Sequence, residues 1–289
     1  LMLSRLNVWL QFVLPHHLIS RFVGAVTRIR WRWFKNTFTS IFVAGFKPDL
    51  SDAENPDPYA YEHFNAFFTR ALKPGARPLA GDARTLVSPV DGTMSQSGDI
   101  ANNLILQAKG WHYTLETLLA GAAKEWAPRF MRGRFATIYL APYNYHRIHM
   151  PTDGTLKSAW YVPGRLFSVS ATAARQVQNL FARNERVVLL FEGPAGPFAV
   201  ILVGALNVGS MDTVWHGQVA PRRPRMVTEL PLPPEPARFL ARGEEVGRFN
   251  MGSTVVLLFG ADAVDLEPIV PGATMRLGQA LGRITAAQG

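Results

Sequence analysis

The chain has no cysteine. That excludes a disulfide scaffold, thiolate catalysis and any cysteine-ligated metal or iron–sulfur centre, and it leaves the redox compartment open. Charge is sparse: 18% of the 289 residues are charged against 48% hydrophobic, which excludes a disordered chain. Long apolar runs are missing too. No stretch reaches the roughly 18 uncharged apolar residues that a spanning helix needs. The longest charge-free N-terminal run, Leu6 to Ser20, is interrupted by Asn7, Gln11, Pro15, His16 and His17, and shows no small-residue cleavage site. No internal repeat occurs at a fixed period. Acidic residues are absent before Asp49, whereas Arg5, Arg21, Arg28, Arg30, Arg32, Lys35 and Lys47 precede it. Of 30 basic residues, 23 remain beyond that point to face 21 acidic ones, so the net +9 belongs to the N-terminal segment.

The pattern of what is present in that segment is helical. Leu18, Phe22, Val26, Ile29 and Trp33 follow at spacings of three and four, which predicts one amphipathic helix over Leu18–Lys35. Arg21, Arg28, Arg32 and Lys35 share another face, Arg30 intrudes on the apolar side, and Trp31, Trp33 and Phe34 add interfacial aromatics. Such a helix suits the headgroup region of an anionic membrane. Packing against the chain's own body is the plainer alternative. Interleaving of basic residues with large aliphatics argues against nucleic acid as a partner.

Residues 48–58 form a Pro-rich linker, and Tyr59–Leu72 reads as a helix stopped by Lys73–Pro78. The period then changes. Short β-branched and aromatic runs separated by Gly and Pro are expected to be strands at Thr85–Val90, Arg134–Leu140, Val187–Glu192, Phe198–Leu206 and Thr254–Phe259. Leu115–Leu119 and Ala171–Ala182 read as helices, and Val219–Arg242 as a surface loop. The expected fold class is α+β: residues 1–48 as membrane-associating amphipathic helices, then a β-rich catalytic domain over 49–289.

Three separated patches carry candidate chemistry: Ser88-Pro89-Val90-Asp91-Gly92-Thr93, Tyr143 to Pro151 with His146 and His149, and Phe249-Asn250-Met251-Gly252-Ser253-Thr254. Each alone has an ordinary reading as a turn, a surface pair or a strand entry. Together they supply an Asp, a His and a Ser, the parts of a nucleophile-activating triad in any chain order. The serine is not in a Gly-x-Ser-x-Gly elbow. It follows a glycine and leads into a strand. A preceding glycine leaves its carbonyl uncrowded and its backbone free to strain, which is what attack on the chain's own peptide bond requires.

On these motifs the chain resembles the phosphatidylserine decarboxylases of the bacterial membrane type. Phe67-Phe68-Thr69-Arg70 with Lys73–Pro78, Pro89-x-Asp91-Gly92, Tyr145-His146-Arg147-x-His149-Met150-Pro151, Gly164-x-Leu166-Phe167-Ser168-Val169, Asn184-Glu185-Arg186 and Gly252-Ser253-Thr254 carry the likeness, in the family's order. Met251 stands where the family usually has leucine, a volume-conserving change.

The resemblance implies a self-processing proenzyme. The Ser253 hydroxyl attacks the Gly252 carbonyl and turns the amide into an ester. β-Elimination then frees the upstream chain and leaves dehydroalanine, which hydrolyses to a covalent pyruvoyl group. The products are a β chain of residues 1–252 and an α chain of 253–289, a heterodimer whose further pairing into a homodimer is left open. Asp91 and His149 take the family's charge-relay positions for this cleavage. The pyruvoyl carbonyl then serves as electron sink, through a Schiff base, for decarboxylation of phosphatidylserine to phosphatidylethanolamine. No pyridoxal phosphate and no metal are needed, which suits a chain with six lysines. His146 is the candidate acid for protonating the carbon that loses CO₂. The implied location is the cytoplasmic face of the cell membrane, held peripherally by anionic lipid. Two other readings remain at this point: a zinc hydrolase using His146, His149 and Asp91 with Ser253 incidental, and a non-enzymatic, membrane-bound binding module.

Overall fold

The computed structural model describes residues 11, 15–108, 110–205, 210–220 and 225–285. The part of the N-terminal reading that falls on residues 1–10 and 12–14 lies outside them. Among the described residues the chain is β-rich with a few helices, and its centre is an antiparallel sheet of nine strands. Its order runs Thr228–Glu229, Gly154–Val162, Arg186–Gly193, Gly196–Gly204, Ser253–Phe259, Arg134–Leu140, Gly92–Asp99 and Thr274–Met275, with Phe239–Leu240 also paired to Gly154–Val162. The Ser253–Phe259 strand sits in the middle. Ser253 faces Gly204 on one side and Leu140 on the other, and all seven strand residues are buried. Its Val-Val-Leu-Leu-Phe run suits a strand covered on both faces. Leu115, Leu118, Leu119, Trp126 and Phe130, from the helical stretch 115–130, join the same core.

A four-stranded sheet carries the histidine patch. Its order is Gly217–Ala220, Met211–Thr213, Glu245–Phe249 and Arg147–His149. A bond from Phe249 N to His146 O, 3.0 Å, extends that pairing and sets the His146 backbone beside the approach to Ser253.

Several expected elements differ, for reasons outside their own sequence. The single helix over Leu18–Lys35 is two helices, α1 (His16–Val26) and α2 (Arg32–Phe46). The carbonyl of Thr27, which a continuous helix would offer to Trp31, accepts instead from Asn65 N at 2.9 Å. The helix over Tyr59–Leu72 shrinks to α3 (Phe64–Phe68). The Lys35 ammonium takes the carbonyls of Tyr59 and Tyr61 at 2.6 and 2.7 Å, so that segment is held open. Ala171–Ala182 divides into Ala171–Ala174 and Leu180–Arg183, because the Gln107 amide bonds Ala174 O, Val177 O and Leu180 N. The first expected strand stops at Val87, and Phe198–Leu206 is Gly196–Gly204. The 219–242 loop contributes two-residue strands at 228–229 and 239–240 to the sheet edge.

The polarity of α1 is inverted relative to an ordinary surface helix. Its buried residues are His16, Ser20 and Gly24, while Leu18 and Phe22 are 65% and 68% exposed. Trp31, Trp33, Ile41 and Phe46 continue the exposed apolar surface. Two of the four cations assigned to the basic face are used internally. Lys35 is buried under the Tyr59–Tyr61 segment, and Arg28 donates to Gly24 O and Ser210 Oγ. Among the described residues no helix is long and apolar enough to cross a membrane.

Candidate active site

Ser253 begins the central strand, and its hydroxyl is fully buried with no hydrogen-bond partner. Burying a hydroxyl without a partner is costly, so such a group is expected to have a role. The turn before it is held by a polar network. Asn250 donates to Ser210 Oγ and, at 2.9 Å, to Asp212 Oδ1, and it accepts from Asn65 Nδ2 at 3.0 Å. The peptide bond between Gly252 and Ser253 is therefore presented from an anchored loop into a paired strand.

His146 lies at that turn. A Cβ placed on Gly252 would be 3.7 Å from His146 Nε2. The imidazole is fully buried, and its Nδ1 donates to Asn144 O at 2.8 Å. A carbonyl only accepts, so Nδ1 carries the hydrogen and Nε2 keeps its lone pair, for which there is no partner. Burial pushes its pKa down to about 3, against the raising effect of the Asn144 carbonyl, and the nearby Arg70 charge lowers it further. The ring packs on Phe68 at 4.1 Å between centroids.

His149 and Asp91 are held by contacts of their own. His149 Nδ1 donates to Gly243 O at 2.8 Å, and the Tyr145 hydroxyl donates to its Nε2 at 3.0 Å. Burial lowers the His149 pKa, while the Gly243 carbonyl, Glu245 and Asp91 oppose that shift. Burial likewise raises Tyr145, keeping the phenol protonated. The Asp91 carboxylate is clamped by Arg77, Nε to Oδ1 at 3.1 Å and the terminal nitrogen to Oδ2 at 2.8 Å, and it also accepts from Leu277 N. Arg77 reaches Asp52 at 2.6 Å as well. These bonds, the Asp91 one foremost, hold the guanidinium above its usual range. The structure thus places His146 Nε2 at Gly252, the residue before Ser253, while the Asp91 carboxylate is bonded to Arg77 and Leu277 N and the His149 ring to Gly243 O and Tyr145. Among the described residues no group of three His, Asp or Glu side chains could hold a metal ion. The zinc reading is accordingly not favoured.

Residues that the sequence reading did not single out complete the site. Phe68, Asn65 and Arg70 come from the α3 segment, and Arg77 from the stretch after it. All lie in or beside the Phe67–Arg70 and Lys73–Pro78 motifs, which mark the segment without revealing these contacts. A cavity of about 350 Å³ opens against Gly252 and Met251, lined by Phe38, Phe42, Phe46, Phe64, Phe68, Leu140 and Val169 among others. A larger one of about 690 Å³ lies around Gly193–Pro197 and Gly260–Ala261. It is at the far end of the central strand, roughly 20 Å from Ser253 at 3.3 Å per residue, and does not bear on this chemistry.

A buried serine at a strand entrance, an imidazole with an unpartnered Nε2 at the same turn and an aromatic cavity define a site for a substrate with an apolar part. The family model described as phosphatidylserine decarboxylase matches residues 64–283, and one described as PSD matches residues 6–47. The phosphatidylserine decarboxylase proenzyme of Ectopseudomonas mendocina (strain ymp) is 50% identical over 283 residues, 97% of this chain and 99% of its own. That of Pseudomonas fluorescens (strain Pf0-1) is 49% identical over 289 residues, 99% and 100%. That of Stutzerimonas stutzeri (strain A1501) is 50% identical over 292 residues, 99% and 97%. This chain belongs to the phosphatidylserine decarboxylase family.

Proposed function

We propose that the chain is a proenzyme that cleaves itself between Gly252 and Ser253 and then decarboxylates phosphatidylserine to phosphatidylethanolamine, with a covalent pyruvoyl group derived from Ser253. The observation that carries this reading is the buried, unpartnered Ser253 hydroxyl immediately after Gly252, with His146 Nε2 unpartnered at the same turn. A pyruvoyl carbonyl at this position supplies an electron sink for the charge left at the carbon that loses CO₂.

The chain's own residues divide the remaining work. Asn65, Asn250, Ser210 and Asp212 fix the turn, so the Ser253 hydroxyl and the Gly252 carbonyl are held adjacent. Asp91 and His149 are assigned to cleavage. The neutral His149 imidazole accepts the serine proton, with the Tyr145 hydroxyl on Nε2 passing it or giving way, and the Asp91 charge favours the imidazolium so formed. His146 is assigned to turnover. Uncharged when the site is empty, it becomes more basic once an anionic headgroup enters, and can then hold and deliver a proton at the reacting carbon. The cavity lined by Phe38, Phe42, Phe64 and Phe68 accepts acyl chain beside that headgroup.

The exposed Leu18, Phe22, Trp31, Trp33 and Ile41 support peripheral seating of α1 and α2 in a bilayer, which is where a two-chain lipid substrate resides. His146→Ala tests the division of labour. Cleavage should be retained on a denaturing gel while turnover falls by about a hundredfold or more. Equal loss of both would mean that His146 is structural.

A further inference from the structure

A second cluster of basic groups lies outside the site just described. His17, Pro163, Gly164, Arg165, Arg183 and Arg225 line an open cavity of about 530 Å³, and none of these lining residues is a carboxylate. The cluster is built by backbone rather than assembled from stray side chains. Arg165 N donates to Arg183 O, and Glu185 N to Arg165 O, each at 2.8 Å, so the two segments run side by side. Their approach needs a glycine at 164, where a Cβ would sit 2.4 Å from Arg183 O. Arg225 crosses over them, donating to Gly164 O at 2.8 Å, with its guanidinium 2.5 Å from His17 Nε2, which itself lies 2.9 Å from Gly164 O. The Arg183 guanidinium lies over Phe167, 6.0 Å from the ring centre. Glu185, whose carboxyl feels the Arg225 charge, is buried, takes the Tyr161 hydroxyl at 2.5 Å and does not line the cavity.

Three guanidinium groups around one cavity repel one another, while burial holds the adjoining His17 imidazole below its usual range. An oxyanion between them converts that repulsion into charge-assisted hydrogen bonds, and arginine's planar fork fits phosphate oxygens two at a time. The position says which phosphate. His17 precedes Leu18, the first exposed apolar residue of α1, and the Gly164–Phe167 segment runs on into Ser168 and Val169 at the active-site cavity. We propose that His17, Arg165, Arg183 and Arg225 form a second lipid site, separate from the reaction centre, which holds the phosphate of an anionic phospholipid in the bilayer. Resting on the peripheral-membrane reading of α1, the site sets the orientation in which the reaction cavity meets the membrane.

The test uses the full-length protein and co-sedimentation with two kinds of vesicle: pure phosphatidylcholine, and phosphatidylcholine with one-fifth phosphatidylglycerol. Phosphatidylglycerol is anionic and has no serine to lose. Arg165→Gln/Arg225→Gln should lose about tenfold or more of the phosphatidylglycerol-dependent affinity, at about one kcal/mol for each basic residue near an anionic surface. Binding to pure phosphatidylcholine and self-cleavage should be unchanged, the latter reporting an intact fold. Arg165→Gln alone, at an exposed side chain, should show part of the effect. Leu18→Glu/Phe22→Glu should weaken binding to both kinds of vesicle. If that helix variant binds both normally, the membrane reading fails. If it binds weakly while the arginine variants keep their phosphatidylglycerol response, the pocket is not a lipid site. Complete competition by millimolar inorganic phosphate would assign the pocket to a soluble phosphate ester and overturn the lipid assignment.

Discussion

At the scale of single residues the site is a set of buried polar groups whose ordinary partners are missing or rearranged. His146 makes the consequence measurable. Its pKa falls from the usual 6.5 to about 3 because burial disfavours the charged ring. The folded state therefore binds fewer protons than the unfolded state between those values. Stability should be complete above about pH 6.5 and fall by up to about 1.4 kcal/mol per pH unit as pH drops toward 3. His16, His17, His63 and His149 are shifted the same way, chiefly by burial, and add to the slope. Thermal melts from pH 7 to 4 should show this decline, and His146→Gln should flatten its share. An unchanged slope in that variant would mean the ring is not held neutral. Arg77 offers a second check. Its two-bond grip on Asp91 fixes the carboxylate, so Arg77→Ala should slow self-cleavage by about tenfold or more, and Arg77→Lys, which cannot fork, should restore only part of the rate. Wild-type cleavage in Arg77→Ala, followed on a time-resolved gel, would remove Asp91 orientation from the mechanism.

At the scale of elements, what could be read from the sequence was what local pattern decides. Arg134–Leu140 and Leu115–Leu119 have the bounds that their residues imply, because continuous β-branched and aromatic runs and a capped Leu-rich turn carry their own signal. The break between α1 and α2 carries none. It has no Pro or Gly at its centre and depends on Asn65 reaching Thr27 O from 38 residues away. Lys35 misleads for the same reason. Helical spacing puts it with the arginines, but it is buried, tying two carbonyls of the α3 approach. Lys35→Ala should therefore lower stability by about 1–3 kcal/mol, seen as a lower Tm, and leave the salt dependence of vesicle binding nearly unchanged. A pure loss of vesicle affinity with no change in Tm would return Lys35 to the membrane face. The site motifs were visible by residue type. Their pairings were not: that His146 lies at Gly252 while Asp91 turns to Arg77 follows from sheet register and from loops far apart in sequence.

At the scale of the molecule, the proposed cleavage position has a structural logic. Ser253 starts the strand in the middle of the nine-stranded sheet, and residues 253–259 pair along their whole length with Gly196–Gly204 and Arg134–Leu140. Cutting before Ser253 breaks the chain where the turn enters the sheet and leaves those ladders intact. The short C-terminal chain should remain bound through native gel filtration and separate only in denaturant. With the proposed cleavage, the same placement would leave the new terminus beside the cavity lined by α2 and α3 aromatics, close to His146.

A denaturing mass spectrum of the purified protein, wild type beside Ser253→Ala, tests self-processing most directly. The wild type should give two chains of about 28 and 4 kDa from the 32.0 kDa precursor. The smaller should be about 17 Da lighter than a chain beginning with serine, because the terminal amino group leaves as ammonia. Ser253→Ala should give one chain at full mass and no decarboxylation. A wild-type preparation that turns over phosphatidylserine as a single chain of 32.0 kDa would contradict the assignment of Ser253.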